Sequence, residues 1–221
     1  MTTIRAALIV LLLFGFAPAA VQAENDSLTL EGEIVFVSDR DGGHDNIFTM
    51  HADGSNVQQV TDAVDWDYGS LYRPQWSADG TLVAYAWEDS TGNYTGIALR
   101  RPDGLYLGSV IYYETWGSNI QYIAWSPDGY TFVYDNEGIP AFVGEAQGAA
   151  DDFLGYEDNA RAPSWSPDSR KLAFTVGDWN AGEIITIGRD GTNRTNLTNH
   201  PADDYDPAWS PDGTKIVFAS N

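Results

Sequence analysis

The chain of 221 residues contains no cysteine, and only 11 lysine and arginine residues stand against 32 aspartate and glutamate residues. Without cysteine the chain has no disulfide bond, no thiolate nucleophile and no lipid-modified cysteine at its N-terminus. The formal net charge is −21. Recognition of phosphates needs clustered basic side chains, so we expect binding to neither nucleic acid nor an anionic membrane surface.

Sequence motifs for catalysis are missing as well. The chain contains neither a G-x-S-x-G elbow nor an H-E-x-x-H pair, and its three histidines (His44, His51 and His200) cannot be grouped from their spacing. The Asp-rich segment 39–45 suits calcium, but it is not an EF-hand loop, because the twelfth position from Asp39 is Met50 rather than glutamate. We therefore predict no catalytic residue, no cofactor and no metal site, and we keep calcium at 39–45 as the weaker alternative.

The first 23 residues have the pattern of a secretory signal. Arg5 supplies the positive charge, residues 6–17 form a short apolar stretch, and Val21-Gln22-Ala23 resembles a small-residue cleavage site. The stretch is short for a membrane span. We predict cleavage after Ala23, a periplasmic or secreted location, and no membrane insertion of the mature chain.

A tryptophan-led motif occurs four times in the remaining chain. It begins at Trp76, Trp125, Trp165 and Trp209, as in WSPDGYTFVYD and WSPDGTKIVFA, and the tryptophans lie 49, 40 and 44 residues apart. A period in the forties with strand-like content indicates repetition of one supersecondary unit that buries its apolar faces against its neighbours.

One repeat unit shows a gradient of polarity along the chain. In the unit at 163–198, a short strand at Trp165 precedes a Pro-Asp turn, two apolar strands follow at 172–176 and 183–187, and a polar strand follows at 195–198. Strands that are apolar on both faces are covered on both sides, whereas a polar strand lies at the periphery. The sequence therefore predicts four-stranded antiparallel blades of a β-propeller.

The motif P-x-W-S-P-D-G-x-x-I-V-F, together with IVFVSDRDGGHDNIFTMHADGSNVQQVT at 34–61, resembles the TolB-type (PD40, WD40-like) propeller repeat. The resemblance covers nearly all of residues 32–221. It implies a ring that often has six blades, and an exported scaffold that binds other proteins. The chain differs from that family by lacking a separate N-terminal domain and by holding only about four and a half blades.

We predict a signal peptide at 1–23 and a propeller domain at 24–221. The domain divides into a partial blade at 24–62, blades at about 63–112, 113–162 and 163–200, and a partial blade at 201–221. An unclosed ring exposes strand edges. We expect either a piece of a longer chain, which we favour, or self-association through the open blade edges; a closed five-bladed ring with help from residues 28–30 is a third alternative.

The charges divide unequally between the two ends of the predicted blades. Seven aspartates and seven basic residues lie at the tight turns, where the aspartates are expected to bond to turn backbone. The loops at the other end hold twenty carboxylates against Arg40, Arg73 and Arg161, together with exposed aromatic side chains. We predict a partner-binding surface there. Its predicted contact residues are Asp65, Trp66, Asp67, Trp116, Trp179, Asp203, Asp204 and Asp206.

The sequence thus predicts an exported, non-enzymatic propeller that binds a protein, or another cationic or polar partner, through an acidic and aromatic loop face. One alternative is the propeller portion of a longer enzyme, either a prolyl-oligopeptidase-type peptidase or a polysaccharide lyase. A second alternative is a module that only acts as a spacer, with a loop face that merely keeps the protein in solution.

Overall fold

The computed structural model describes residues 32–62, 68–114, 120–136, 139–143, 160–178 and 180–221. These residues form antiparallel strands joined by turns and loops, and they include no helix that could cross a membrane. The first sheet contains β1 (Glu33–Ser38), β2 (Asn46–His51) and β3 (Gln58–Gln59). The second sheet contains β4 (Tyr68–Trp76), β5 (Val83–Asp89), β6 (Tyr94–Arg100) and β7 (Tyr106–Glu114).

Three further sheets follow in chain order. The third contains β8 (Ile120–Trp125), β9 (Phe132–Asn136) and β10 (Ile139–Val143). The fourth contains β11 (Arg161–Trp165), β12 (Lys171–Val176), β13 (Glu183–Gly188) and β14 (Thr195–Asn196). The fifth pairs β15 (Asp204–Trp209) with β16 (Ile216–Ser220). Within each sheet, strands that are adjacent in sequence are also adjacent in space.

The first strands of successive sheets lie beside one another. Strand β4 contacts β8, β8 contacts β11, and β11 contacts β15, while β1 of the first sheet contacts β4. The later strands of each sheet therefore lie progressively farther from the shared inner side. This is the packing of consecutive propeller blades, as the sequence predicts.

Apolar side chains on both faces of the second strands hold the sheets together. In β5, Val83, Tyr85 and Trp87 pack toward the first sheet with Ile47, whereas the intervening Ala84 and Ala86 pack toward the third sheet. These side chains are at most 6% exposed. The two-residue period of a strand explains why such a sequence reads as a continuous apolar run rather than as an alternating one.

The inner strands contain β-bulges three residues before their tryptophans. Arg73, Ala162 and Asp206 occupy these positions with φ values of 54°, 52° and 52°, and the strand register shifts around each of them. Bulges of this kind bend the strand and redirect its side chains. The bulge of β15 consequently sets apart the segment 203–206, which contains three of the predicted contact residues.

Two sheet limits differ slightly from the boundaries drawn on the sequence. Strand β7 continues to Glu114 because Tyr94 and Glu114 are still paired, and β11 begins at Arg161 because Arg161 pairs with Thr175. The repeat motif marks where each sheet turns, but pairing decides how far each strand extends.

Candidate binding face

The antiparallel order of the strands places their connections at two opposite ends. We call one the turn end, and it contains the tight turns at 51–57, 77–82, 101–105, 126–131, 166–170, 189–194 and 210–215. We call the other the loop end, and its described segments include 39–45, 89–93, 177–178, 180–182 and 197–203. The two ends differ in how their carboxylates are used.

Turn-end aspartates bond to their own turns, as the sequence predicts. The Ser77 hydroxyl and the Thr81 backbone N–H donate to Asp79 Oδ1 over 2.7 and 3.0 Å. The same arrangement recurs at Asp128, Asp168 and Asp212. Each aspartate fixes the turn that follows a repeat tryptophan, so these carboxylates have a structural role.

Hydrogen bonding at the turn end stabilises the charged form of these carboxyl groups. Donation from the Ser210 hydroxyl, then from the Thr214 backbone N–H and hydroxyl, lowers the pKa of Asp212 from 3.8 to about 2. The Ser77 hydroxyl and the Thr81 backbone likewise lower the pKa of Asp79. A carboxylate that accepts several hydrogen bonds is harder to protonate.

Two loop-end carboxylates are also engaged within the fold. Asp89 Oδ1 accepts hydrogen bonds from the backbone N–H groups of Asn93 and Tyr94, both over 2.9 Å. Partial burial disfavours the charge, but hydrogen bonds from Thr91 and from this backbone outweigh it and lower the pKa of Asp89. Glu183 accepts hydrogen bonds from the Thr198 hydroxyl and, over 3.1 Å, from the His200 backbone. Sequence reasoning assigned both acids to a binding surface and did not foresee these contacts.

The structure brings together three of the eight predicted contact residues. Asp203 Oδ1 accepts a hydrogen bond from the Gly182 backbone over 2.7 Å and lies 3.9 Å from a guanidinium nitrogen of Arg161. Asp204 is buried at 2% exposure, and Asp206 is exposed. The remaining five, Asp65, Trp66, Asp67, Trp116 and Trp179, lie outside the described residues.

Other charged and aromatic side chains at the loop end are open to solvent. Asp39, Asp41 and Asp178 are exposed, and the Tyr205 side chain is 36% exposed. Arg40 is exposed as well, with its guanidinium carbon 4.8 Å from the centre of the Phe36 ring and 5.0 Å from that of Phe48. Stacking of this kind fixes a basic side chain at the base of the 39–45 loop.

Groupings that would indicate chemistry are scarce in the part of the chain that the structure describes. No three acidic or imidazole groups there could hold a metal ion. His51 lies at the turn end, and its ring nitrogens are 3.2 Å from the Ser55 hydroxyl and 3.1 Å from the Asn56 amide. His44 and His200 belong to different loops at the other end.

A groove that sequence reasoning missed runs between the fourth and fifth sheets. Its volume is about 620 Å³, and its walls include Ile184 and Leu197 on one side and Ile216 and Phe218 on the other. Asp204 also lines it. Aligning the repeats on their tryptophans would have marked this residue, because Asp204 occupies a position that is apolar in the other three repeats.

Comparison with known proteins supports the repeat type. No family model matches the chain. It is 30% identical over 189 residues to "Protein TolB homolog" of Chlorobium chlorochromatii, which covers 85% of the chain and 31% of that relative. A solved structure described as putative TolB from Agrobacterium tumefaciens superposes with a TM-score of 0.58 at 22% identity, over 80% of the chain and 63% of that structure. The chain is a TolB-type β-propeller.

The propeller is also similar to parts of peptidases. It is 27% identical over 207 residues to "Uncharacterized peptidase YuxL" of Bacillus subtilis, over 69% of the chain and 30% of that relative. The structure of a Mycobacterium tuberculosis puromycin-hydrolyzing peptidase superposes with a TM-score of 0.62 at 13% identity, over 85% of the chain and 31% of that structure. The propeller thus spans about a third of the length of the two curated relatives.

Proposed function

We propose that this propeller is an exported, non-enzymatic scaffold that binds a protein partner in the cell envelope or outside the cell. The observation that carries the proposal is the unequal distribution of charge. Twenty carboxylates oppose three arginines in the loop-end segments, whereas acidic and basic residues balance at the turn end. Turn-end aspartates are accounted for by turn geometry, but the exposed Asp39, Asp41 and Asp206 are not part of any repeated turn.

The mechanism we propose is rigid display. The packed sheets hold the loops in fixed positions, negative charge attracts a cationic partner, and aromatic side chains provide the desolvated contacts. The proposed contacts are those predicted from the sequence. Among them Asp206 is exposed, while Asp203 also holds Arg161 and Gly182. Its contribution would therefore be to the shape of the face as much as to its charge.

The experiment that tests the proposal compares capture of envelope proteins by immobilised wild-type chain and by a Trp66→Ala, Trp116→Ala double variant. We expect the double variant to lose most of the captured partner at an unchanged melting temperature. The matched control is Tyr130→Ala, which removes an aromatic side chain that is 66% exposed at the turn end. Equal capture by all three proteins, or a collapsed fold in the double variant, would contradict the assignment.

Salt provides a second measurement of the same proposal. Attraction between exposed charges is screened beyond a Debye length of about 8 Å at 0.15 M ionic strength. We expect the association rate of the captured partner to fall as salt rises, and the dissociation rate to change less. An association rate that is independent of salt would argue against an acidic recognition surface.

The alternative is that this propeller forms part of a longer enzyme. The similarity to peptidases of Bacillus subtilis and Mycobacterium tuberculosis favours it. A hydrolase domain encoded in the same gene, with peptidase activity in the joined protein, would support the peptidase version. Metal-dependent cleavage of uronate oligomers by the chain itself would support the lyase version.

A further inference from the structure

Asp204 stands at a position that the other repeats fill with apolar side chains. Five residues before each repeat tryptophan, the first three units have Leu71, Ile120 and Ala160, which are 1%, 0% and 0% exposed. Each packs against the preceding sheet. Asp204 is 2% exposed at the equivalent point of β15, so the fifth sheet has a carboxyl group where the repeat calls for a hydrocarbon.

The Asp204 carboxyl group accepts no hydrogen bond from the residues that the structure describes. Its backbone N–H donates to the Gly182 carbonyl over 2.9 Å, but neither carboxyl oxygen has a partner there. Burial of an uncompensated carboxylate is costly, and such groups are normally paired. A group that remains without a partner while lining a groove therefore points to a ligand that supplies the missing donor.

The groove extends over the full height of the fifth sheet. Asp204 and Ser220, which are paired, lie at its loop end, and Lys215 lies at its turn end. Between them Ile216 and Phe218 line the groove, while Val217 points to the opposite face and is 69% exposed. At about 3.3 Å per residue, the five residues of β16 span roughly 17 Å. The groove thus has an acid at one end, a base at the other and apolar walls between them.

Strand β16 also has an edge that can accept another strand. It pairs with β15 on one side, and among the described residues no strand pairs with its other side. An exposed edge with an apolar groove beside it is the arrangement that binds extended peptides by strand addition. An antiparallel addition would begin next to Ser220 and Asp204 and end next to Lys215.

We propose that this groove binds an extended, lysine-bearing protein segment, which adds as an antiparallel strand to the outer edge of β16 and places its ammonium group on Asp204. Lys215 would then meet an acidic residue about six positions farther along the segment. The inference rests on the proposed function only for the class of partner, a protein with a cationic group. It concerns the side of the fifth sheet rather than the loop surface.

The probe is a labelled, terminally blocked peptide, Lys-Thr-Val-Thr-Val-Thr-Glu, in which alternate side chains face the groove. The control peptide, Glu-Thr-Val-Thr-Val-Thr-Lys, has the same composition and no net charge, so the overall charge of the protein cannot distinguish the two. By fluorescence anisotropy we expect the first peptide to bind wild-type protein at least tenfold more tightly. Equal binding of the two peptides would overturn the proposal.

Three variants locate the effect. Asp204→Asn should reduce the preference to less than twofold, and the matched variant Asp206→Asn, an exposed carboxylate two residues away, should retain it. Asp204→Leu, which copies Leu71, should abolish binding and raise the melting temperature. If Asp204→Leu instead lowers the melting temperature, or if the preference survives in Asp204→Asn, then Asp204 does not serve as the ligand for the ammonium group.

Two other occupants of the groove give distinct results. Concentration-dependent dimers that are lost in Phe218→Lys would assign the groove to a second copy. Peptide binding that disappears in a longer form carrying further repeats would assign it to the chain's own strand. Either result overturns the proposal. Neither affects the loop-face experiment, because the Trp66 and Trp116 variants leave the groove intact and the peptide assay leaves those tryptophans intact.

Discussion

The two ends of the sheets use the same residue types for different purposes. At the turn end, an aspartate two residues after a serine closes each tryptophan-led turn, and the arrangement repeats almost unchanged at Asp79, Asp128, Asp168 and Asp212. At the loop end, Asp89, Glu183 and Asp203 each have a different set of partners. Repeated chemistry maintains the fold, so a binding function is better sought at the end that varies.

The largest expected effect tests whether the turn end carries the stability. Trp165 is 7% exposed, packs against Leu172 and Phe174, and donates its indole N–H to the Ala124 carbonyl over 3.1 Å. Trp165→Ala should lower the free energy of unfolding by about 3–5 kcal/mol, the usual range for a buried tryptophan. Denaturant unfolding measures it.

Trp209→Ala is the matched control for this prediction. Trp209 belongs to the two-stranded fifth sheet, it is only partly buried, and its indole N–H has no acceptor in the described residues. We expect a clearly smaller loss of stability than for Trp165→Ala. Equal losses would mean that contacts between sheets contribute little to the difference between the two sites.

A smaller effect is expected from the ion pair that joins the third and fourth sheets. Arg189 lies 2.6 Å from Asp128, donates to the Thr131 hydroxyl, and stands 5.8 Å from the centre of the Trp165 ring. The pair is about one-third exposed on each side. After allowance for screening, Arg189→Met should cost about 1–2 kcal/mol.

Arg170→Met provides the control for the ion pair. Arg170 is exposed in the neighbouring turn, where its backbone carbonyl accepts a hydrogen bond from Arg189 N–H over 2.8 Å. The substitution leaves that backbone bond in place. We expect a change within about 0.5 kcal/mol, as for most surface substitutions; a loss as large as that of Arg189→Met would place the effect in general charge rather than in the pair.

The dependence of stability on pH sharpens the comparison further. The folded state lowers the pKa of Asp212 from 3.8 to about 2, so the stabilisation is fully present above pH 4 and is lost as the pH falls toward 2. Asp212→Asn should therefore lower the melting temperature slightly at pH 7, by about 1–2 °C. The difference from wild type should vanish near pH 2, as thermal scans across this range would show.

Asp206→Asn serves as the loop-end control for the pH experiment. The Asp206 backbone N–H donates to the Thr175 hydroxyl over 3.2 Å, and this bond does not involve its exposed carboxylate. We expect its melting temperature to follow that of wild type across the same pH range. A similar pH-dependent difference at Asp206 would show that acid sensitivity is not specific to the turn end.

The repeat pattern predicted the fold well because both of its signals are local. The Ser-x-Asp turn needs only neighbouring residues, and strands such as β5 and β12 are apolar on both faces whichever sheet they meet. The same pattern located the turn-end hydrogen bonds of Asp79 and Asp212 before any coordinates were considered. Local chemistry of this kind is visible in one repeat at a time.

The site was less predictable because its contacts join residues that are distant in sequence. Asp203 meets Gly182 and Arg161 only after two sheets have packed together, and the groove beside Asp204 depends on walls from β13, β14 and β16. Counting charges by loop treats Asp89 and Asp206 alike, although one closes its own loop and the other is exposed. Charge counting identifies an end of the molecule but not the individual contacts.

The smallest expected effect concerns a turn that departs from its repeat. Gly80, Gly129 and Gly213 close the equivalent turns with φ values of 70°, 76° and 69°, whereas Ser169 adopts 59°. A left-handed conformation costs a non-glycine residue about 1–2 kcal/mol. The Ser169 hydroxyl, however, accepts a hydrogen bond over 3.0 Å from the Asp128 backbone in the neighbouring sheet, and such a bond is worth about 0.5–1.5 kcal/mol. Ser169→Gly should thus change the free energy of unfolding by no more than about 0.5 kcal/mol, while Ser169→Ala, which keeps the strain and loses the bond, should cost about 1 kcal/mol. Denaturant unfolding of the two variants separates strain from bonding, and equal losses would show that the hydroxyl does not join the sheets.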